Sequence, residues 1–212
     1  SKIPMPHFEW KEEDMRYSLC FFPVVGAVIG GLIWGFMWLA GVLRLSEIST
    51  CLIGSIIPLL VTGGIHLDGY MDVCDARHSY GEREKKLQIL KDPHIGAFAV
   101  IRTLVCAAFY VGAFAELCHQ AAFSGEGTKK AGVVFACGFV LARVLSALSL
   151  VFLEPAKKDG MLVSFAGAAD RKIVRGVLLA EAGLTAGFMF GTDLRCGLCA
   201  VAAAGLTFLF YA

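Results

Sequence analysis

The sequence predicts an all-α fold of the polytopic membrane class: about six transmembrane helices, with a cytoplasmic acidic helix end and an interfacial helix. Three observations carry that expectation. The 212 residues are 57% hydrophobic and only 17% charged, with a mean hydropathy of +0.69, whereas about a quarter of an average soluble domain is charged. The polar residues gather in a few stretches instead of alternating with apolar ones, so they cannot cover a soluble core. The apolar runs between them reach the roughly 20 residues that a helix needs to cross a bilayer. The 19 Lys and Arg are nearly matched by 18 Asp and Glu and form no continuous basic tract, which excludes an electrostatically driven nucleic-acid binder.

Residues 1–17 mix acids with bases, and the first apolar run is too long for a secretion signal, so the chain reads as inserted, not secreted. That run, Ser18–Leu43, is the first expected span, with Gly26, Gly30, Gly31 and Gly35 at a spacing that lets helices approach closely. Ile48–Ile65 is the second. In the polar segment that follows, Gly81–Lys91 reads as an amphipathic interfacial helix, ended by Asp92-Pro93 because proline disfavours helical backbone in its predecessor. Ala97–Phe123 and Ala131–Leu153 are the third and fourth spans. Arg102 and Arg143 lie inside them, with Glu116 and Glu181 similarly placed, and each needs a partner or a wet cavity. Ile173–Phe190 and Leu194–Tyr211 complete the six, and only Gly191, Thr192 and Asp193 separate them, so a tight antiparallel pair is expected.

Most of the eight cysteines lie in apolar runs and are expected to be reduced thiols. No repeat or second domain is visible, so residues 1–212 read as one transmembrane catalytic domain. The chain starts at Ser1 and stops inside an apolar run at Ala212, which leaves open that residues are missing at either end. Monomer and homo-oligomer are both left open.

With six spans, residues 1–17, 66–96 and 154–172 with Arg175 share one face with the C-terminus. That face carries thirteen Lys and Arg, the other face four (Arg44, Lys129, Lys130 and Arg195). The positive-inside rule puts the thirteen, and with them both long polar segments, in the cytoplasm.

The most informative stretch runs from Thr62 to Arg77. Asp68, Asp72 and Asp75 stand at i, i+4 and i+7, which on a helix places three carboxylates within a narrow arc of one face. Three like charges without an intervening cation repel one another at a membrane boundary, and a bound cation removes the conflict. Hard oxygen ligands without a His/Cys set at zinc spacing suit Mg²⁺; a solvated acidic helix end is the plain alternative. Gly63, Gly64 and Gly69 allow a bend or a close approach. Lys91, Asp92 and His94 enter the third span together, and Lys91 either holds a pyrophosphate as a point charge or snorkels to the headgroups. The basic loop Glu154–Met161, with Lys158, followed by Ser164, Phe165 and Ala166, is a candidate lid or nucleotide-contacting loop.

The run Gly63-Gly64-Ile65-His66-Leu67-Asp68-Gly69, then Asp72 and Asp75, then Ile89-Leu90-Lys91-Asp92-Pro93-His94-Ile95-Gly96-Ala97-Phe98, resembles the cobalamin synthase (adenosylcobinamide-GDP ribazoletransferase) family. The likeness extends to Pro4, to Arg16-Tyr17 through Gly31, and to Lys158-Asp159-Gly160-Met161 with Ser164-Phe165-Ala166, and so covers most of the chain. It implies a multi-span, Mg²⁺-dependent transferase of the inner membrane that acts on adenosylcobinamide-GDP and α-ribazole or its 5′-phosphate. A ribose hydroxyl attacks the phosphorus attached to cobinamide, GMP leaves, and adenosylcobalamin or its phosphate forms. Members of the family commonly continue into a glycine-rich segment with a further aspartate, which does not occur before Ala212.

On that footing Asp68, Asp72 and Asp75 are expected to bind Mg²⁺, with Asp92 a fourth ligand or a base towards the attacking hydroxyl. Lys91 and Arg77 would neutralise the pyrophosphate, and His66, His94 and Lys158 are the remaining candidate substrate contacts. Arg77 and His66 both project away from the acids on an ideal helix, which weakens each.

Two rival readings fit the residues less well. The CDP-alcohol phosphatidyltransferases require glycines where this chain has Ala76 and Lys86. A divalent-ion or solute transporter should hold its ligands near mid-membrane with inverted repeats, whereas these acids cluster at one edge.

Overall fold

The computed structural model describes residues 15–123, 126–153 and 161–211, and every regular element among them is helical. A 3₁₀ turn, Ser18–Phe21, leads into α1 (Phe22–Val42). Then come α2 (Glu47–Thr62), α3 (Ile65–His78), α4 (Arg83–Ile89), α5 (Ala97–Phe123), α6 (Glu126–Phe152), α7 (Met161–Ala168), α8 (Arg171–Thr192) and α9 (Leu194–Tyr211). They fall into two compact units, one spanning Leu43–Ala122 and one made of α1 with α6 to α9. The chain is an all-α, multi-pass membrane protein.

Six spans are not confirmed among the described residues, where four, or five with one broken span, are long and apolar enough. Ser18–Val42, Ala97–His119, Lys130–Phe152 and Arg171–Thr192 are long and apolar enough to cross a membrane, and α2 with α3 makes a fifth only as one broken span. The second expected span fails as a straight helix because α2 ends after 16 residues, about 24 Å. The described apolar part of α9 runs from Leu194 to Leu209.

In the first unit, Ser46 caps α2, its hydroxyl accepting from the Ser49 N–H at 3.2 Å, which satisfies one orphan donor. The other end of α2 is closed by two successive left-handed glycines, Gly63 at φ 64° and Gly64 at φ 80°. The Gly63 N–H donates to Leu60 O at 3.3 Å and the Gly64 N–H to Leu59 O at 3.1 Å, so the last carbonyls are satisfied while the chain turns. Only glycine adopts that conformation twice running without strain. The turn swings α3 by 88° from α2. Asp68, Asp72 and Asp75 therefore belong to a separate helix lying across α2, not to an extension of it. Where an interfacial helix over Gly81–Lys91 was expected, a shorter helix, α4, is present.

In the second unit, α1 lies directly on α6. A Cβ on Gly26 would run into the Phe139 carbonyl and one on Gly30 into that of Ala136, whereas Gly31 and Gly35 face open space. Leu19, Val144, Ala147, Val151, Val174 and Leu178 form a buried core joining the start of α1 to α6 and α8. Val134, Leu141 and Met189, with Cys196, Ala200 and Ala204, seat α9. Only Asp193 lies between α8 and α9, and its side chain accepts from the Cys196 N–H at 2.8 Å. All eight cysteines are free thiols. Gly30→Leu should separate α1 from α6 and destabilise the protein by about 1–3 kcal/mol, read as a lower Tm in detergent. Gly31→Leu should leave Tm within the scatter of the wild type.

Arg16 and Asp170 fasten the approach to α1 onto the start of α8. Arg16 Nη2 donates to Asp170 Oδ2 at 2.9 Å, the Asp170 N–H donates to Arg16 O at 3.2 Å, and Asp170 Oδ1 accepts from the Ile173 N–H at 3.2 Å. The Arg16 guanidinium first, then the N–H groups of the α8 cap, hold the Asp170 carboxyl below the usual carboxylate range. A depressed carboxyl stabilises the fold above its unfolded pKa, about 4, and that stabilisation is lost as pH falls through the folded value. Thermal stability should therefore drop on acidification below about pH 4, and Asp170→Asn should flatten that part of the profile.

Candidate active site

The three aspartates of α3 occupy an arc of about 60° on one side of the helix, as their spacing implies. Asp68 is exposed, while Asp72 and Asp75 are half-buried. Their surroundings set Asp75 apart. Its Oδ2 accepts from the Gly96 N–H at 2.6 Å and its Oδ1 from the Ala99 N–H at 2.8 Å. The first N–H groups of a helix have no intrahelical acceptor and carry the positive end of its dipole. Asp75, 21 residues upstream, thus serves as the side-chain cap of α5 and ties α3 to it. Gly96 is what permits the approach: a Cβ there would come within 2.6 to 2.7 Å of the Asp75 carboxylate atoms.

The loop that Asp75 pins carries the next two candidates. Asp92 Oδ1 accepts from the His94 backbone N–H at 2.9 Å and lies 2.6 Å from His94 Nδ1. The backbone N–H first, and the imidazole second, hold the Asp92 carboxyl below its ordinary value. A carboxylate so stabilised is a weak base. Its geometry is that of an orienting group, which fixes Nδ1 as the protonated nitrogen and leaves Nε2 to accept a proton.

One turn beyond Asp75 on α3, His78 makes a second tie to α5. Its Nδ1 faces Cys74 O at 2.8 Å, its Nε2 faces Arg102 Nη2 at 3.0 Å, and its ring stacks on Phe98 with centroids 5.1 Å apart. The sequence reading expected a partner or cavity for Arg102 and quoted Gly96 and Phe98 only as part of the family-like run, without a role, and it did not name His78. The available signal was periodicity, since His78 follows Asp75 by three residues and so flanks the acidic arc.

His66 is exposed on the first turn of α3, Arg77 is exposed near its last turn, and Lys91 is exposed in the turn after α4. Lys158 lies outside the described residues, and Ser164, Phe165 and Ala166 sit on α7. No ion pair joins Arg102 or Arg143 to a carboxylate among the described residues.

A three-carboxylate cage is not assembled: no three His, Cys, Asp or Glu side chains among the described residues stand together as a metal site. Mg²⁺ does not need one, because it commonly takes one or two protein carboxylates and completes its shell with water and phosphate oxygens. Asp68 and Asp72, one turn apart on α3, fit that role. Asp75, with both oxygens on backbone N–H groups, fits the role of an anchor.

Comparison with known proteins adds an independent finding. The profile of the cobalamin-5-phosphate synthase family matches residues 1–212. The adenosylcobinamide-GDP ribazoletransferase of Lachnoclostridium phytofermentans is 42% identical over 174 residues, covering 82% of this chain and 63% of that protein. That of Geotalea daltonii is 35% identical over 169 residues, covering 79% and 64%. That of Clostridium botulinum, Eklund strain, is 39% identical over 112 residues, covering 52% and 44%. The chain thus spans less than two thirds of the length of these relatives. No solved structure matches.

Proposed function

Since the chain belongs to the cobalamin-5-phosphate synthase family, we propose that it transfers the cobinamide phosphate group of adenosylcobinamide-GDP to α-ribazole or its 5′-phosphate, with release of GMP. The name shared by its relatives supports the substrates. The observation that carries the chemistry is the seam between α3 and α5, where Asp75 holds the loop bearing Asp92 and His94 beside the carboxylate helix.

The ribazole hydroxyl gives its proton to His94 Nε2, whose orientation Asp92 fixes. The oxygen forms a bond to the phosphorus attached to cobinamide, the bond from that phosphorus to the bridging oxygen of GMP breaks, and GMP leaves with the electron pair. Asp68 and Asp72 would hold Mg²⁺, which when bound neutralises charge on the phosphate oxygens and the leaving group. Lys91, exposed in the turn after α4, would meet the same phosphates. With α2 and α3 counted as one span, so that both long polar segments share a face, the excess of Lys and Arg on that face supports an active site facing the cytoplasm.

The deciding experiment incubates the purified chain in proteoliposomes with adenosylcobinamide-GDP, α-ribazole and Mg²⁺, and follows GMP and the corrinoid product. Adenosylcobalamin with stoichiometric GMP is the expected result. No corrinoid product there, with a phosphatidyl lipid formed in a parallel incubation that supplies a CDP-activated donor, would overturn the reading.

A further inference from the structure

An arginine inside a membrane span is normally matched by a carboxylate or faces a water-filled cavity. Arg102, in the second turn of α5, is matched by an imidazole instead. The two hydrogen bonds of His78 fix its state. Its Nδ1 faces the carbonyl oxygen of Cys74, which can only accept, so Nδ1 carries a proton. Its Nε2 faces the guanidinium of Arg102, which can only donate, so Nε2 is bare. His78 is therefore a neutral imidazole that aims the arginine without cancelling its charge, and the Phe98 ring stacked on it opposes rotation.

The result is a held and uncompensated cation. Arg102 is exposed, no carboxylate pairs with it among the described residues, and a guanidinium has four more N–H donors than the one His78 accepts. A fork of donors with full charge suits an anion bearing several oxygens. Arg102 follows Ala99 by one turn on α5, as His78 follows Asp75 on α3, and Asp72 lies one turn on the other side of Asp75. The cation and the carboxylate pair thus lie along one seam, on either side of the Asp75 anchor.

We propose that Arg102 binds the diphosphate of a nucleoside-diphosphate ester and that His78 is the positioning residue that aims it. This rests on the transferase reading above. A phospholipid headgroup shares the phosphate chemistry, so the test separates the two sources.

Binding of adenosylcobinamide-GDP with Mg²⁺ is measured on the full chain in a lipid-free sugar detergent, then again with phosphatidylglycerol added. Arg102→Gln should raise Kd at least tenfold in both conditions. His78→Phe keeps the stack on Phe98 but removes the acceptor and should raise Kd several-fold at an unchanged Tm. His78→Gln, which restores an acceptor, should recover part of the affinity. If His78→Phe and His78→Gln lower Tm together and leave Kd alone, the pair is only structural and the proposal is overturned. If Arg102→Gln loses retention of phosphatidylglycerol but binds the nucleotide ester as the wild type does, the site belongs to lipid and the proposal is likewise overturned. Should His78→Phe fail to fold, Arg102→Gln and His78→Gln carry the comparison. A wild-type chain that binds no nucleotide ester removes the transferase reading and the proposal with it, whereas normal wild-type binding with indifferent variants removes the proposal alone.

Discussion

Asp72→Asn should reduce GMP release by the reconstituted protein on the order of 10³-fold or more, comparable with the loss of a major charge-stabilising group from an active site. Asn has nearly the shape of Asp and keeps a neutral acceptor, so α3 has little reason to unwind, and Tm should stay close to that of the wild type. What disappears is a negative charge one turn from Asp68, on the helix face that also carries Asp75. Phosphoryl transfer depends chiefly on positioning and on neutralising charge on the phosphate oxygens, and a single carboxylate holds a divalent ion more weakly than two. Raising the Mg²⁺ concentration should therefore recover part of the lost rate. Turnover unchanged by Asp72→Asn would remove the metal-holding role from Asp72.

The parts of this arrangement differ in how far they could be read beforehand. The long helices were legible because an apolar run of sufficient length has one stable form in a bilayer. The glycine pair at Gly63 and Gly64 marked a bend, but two left-handed residues in succession, and hence a turn of 88°, depend on how the last carbonyls of α2 are satisfied. Periodicity alone put Asp68, Asp72 and Asp75 on one face, and they lie there. It could not show that one of the three looks towards the start of another helix, because that partner is more than twenty residues away and consists of backbone N–H groups common to any sequence. Asp92 and His94 were both candidates from their position before the third span. Which of them serves the other followed only from the 2.6 Å contact between them.

The second large effect concerns Asp75 and separates anchor from ligand. Hydrogen bonds to a charged group contribute about 1.5–3 kcal/mol each, and Asp75 makes two across the seam. Asp75→Asn keeps one carbonyl oxygen but turns an NH₂ group towards a backbone N–H, so it should destabilise the protein by roughly 2–4 kcal/mol and displace the loop that carries Asp92 and His94. A metal ligand would behave otherwise: its loss raises the Mg²⁺ requirement and leaves the Tm of the metal-free protein unchanged. Gly96→Ala decides between the two, because glycine offers no ligand atom yet a Cβ there would push the Asp75 carboxylate off the α5 terminus. As an anchor pair, Asp75→Asn and Gly96→Ala should lower the metal-free Tm by similar amounts, both should lose turnover, and the double variant should be little worse than either alone, since each breaks the same contact. Additive losses in the double variant, or a Gly96→Ala protein with normal Tm and turnover, would return Asp75 to the metal.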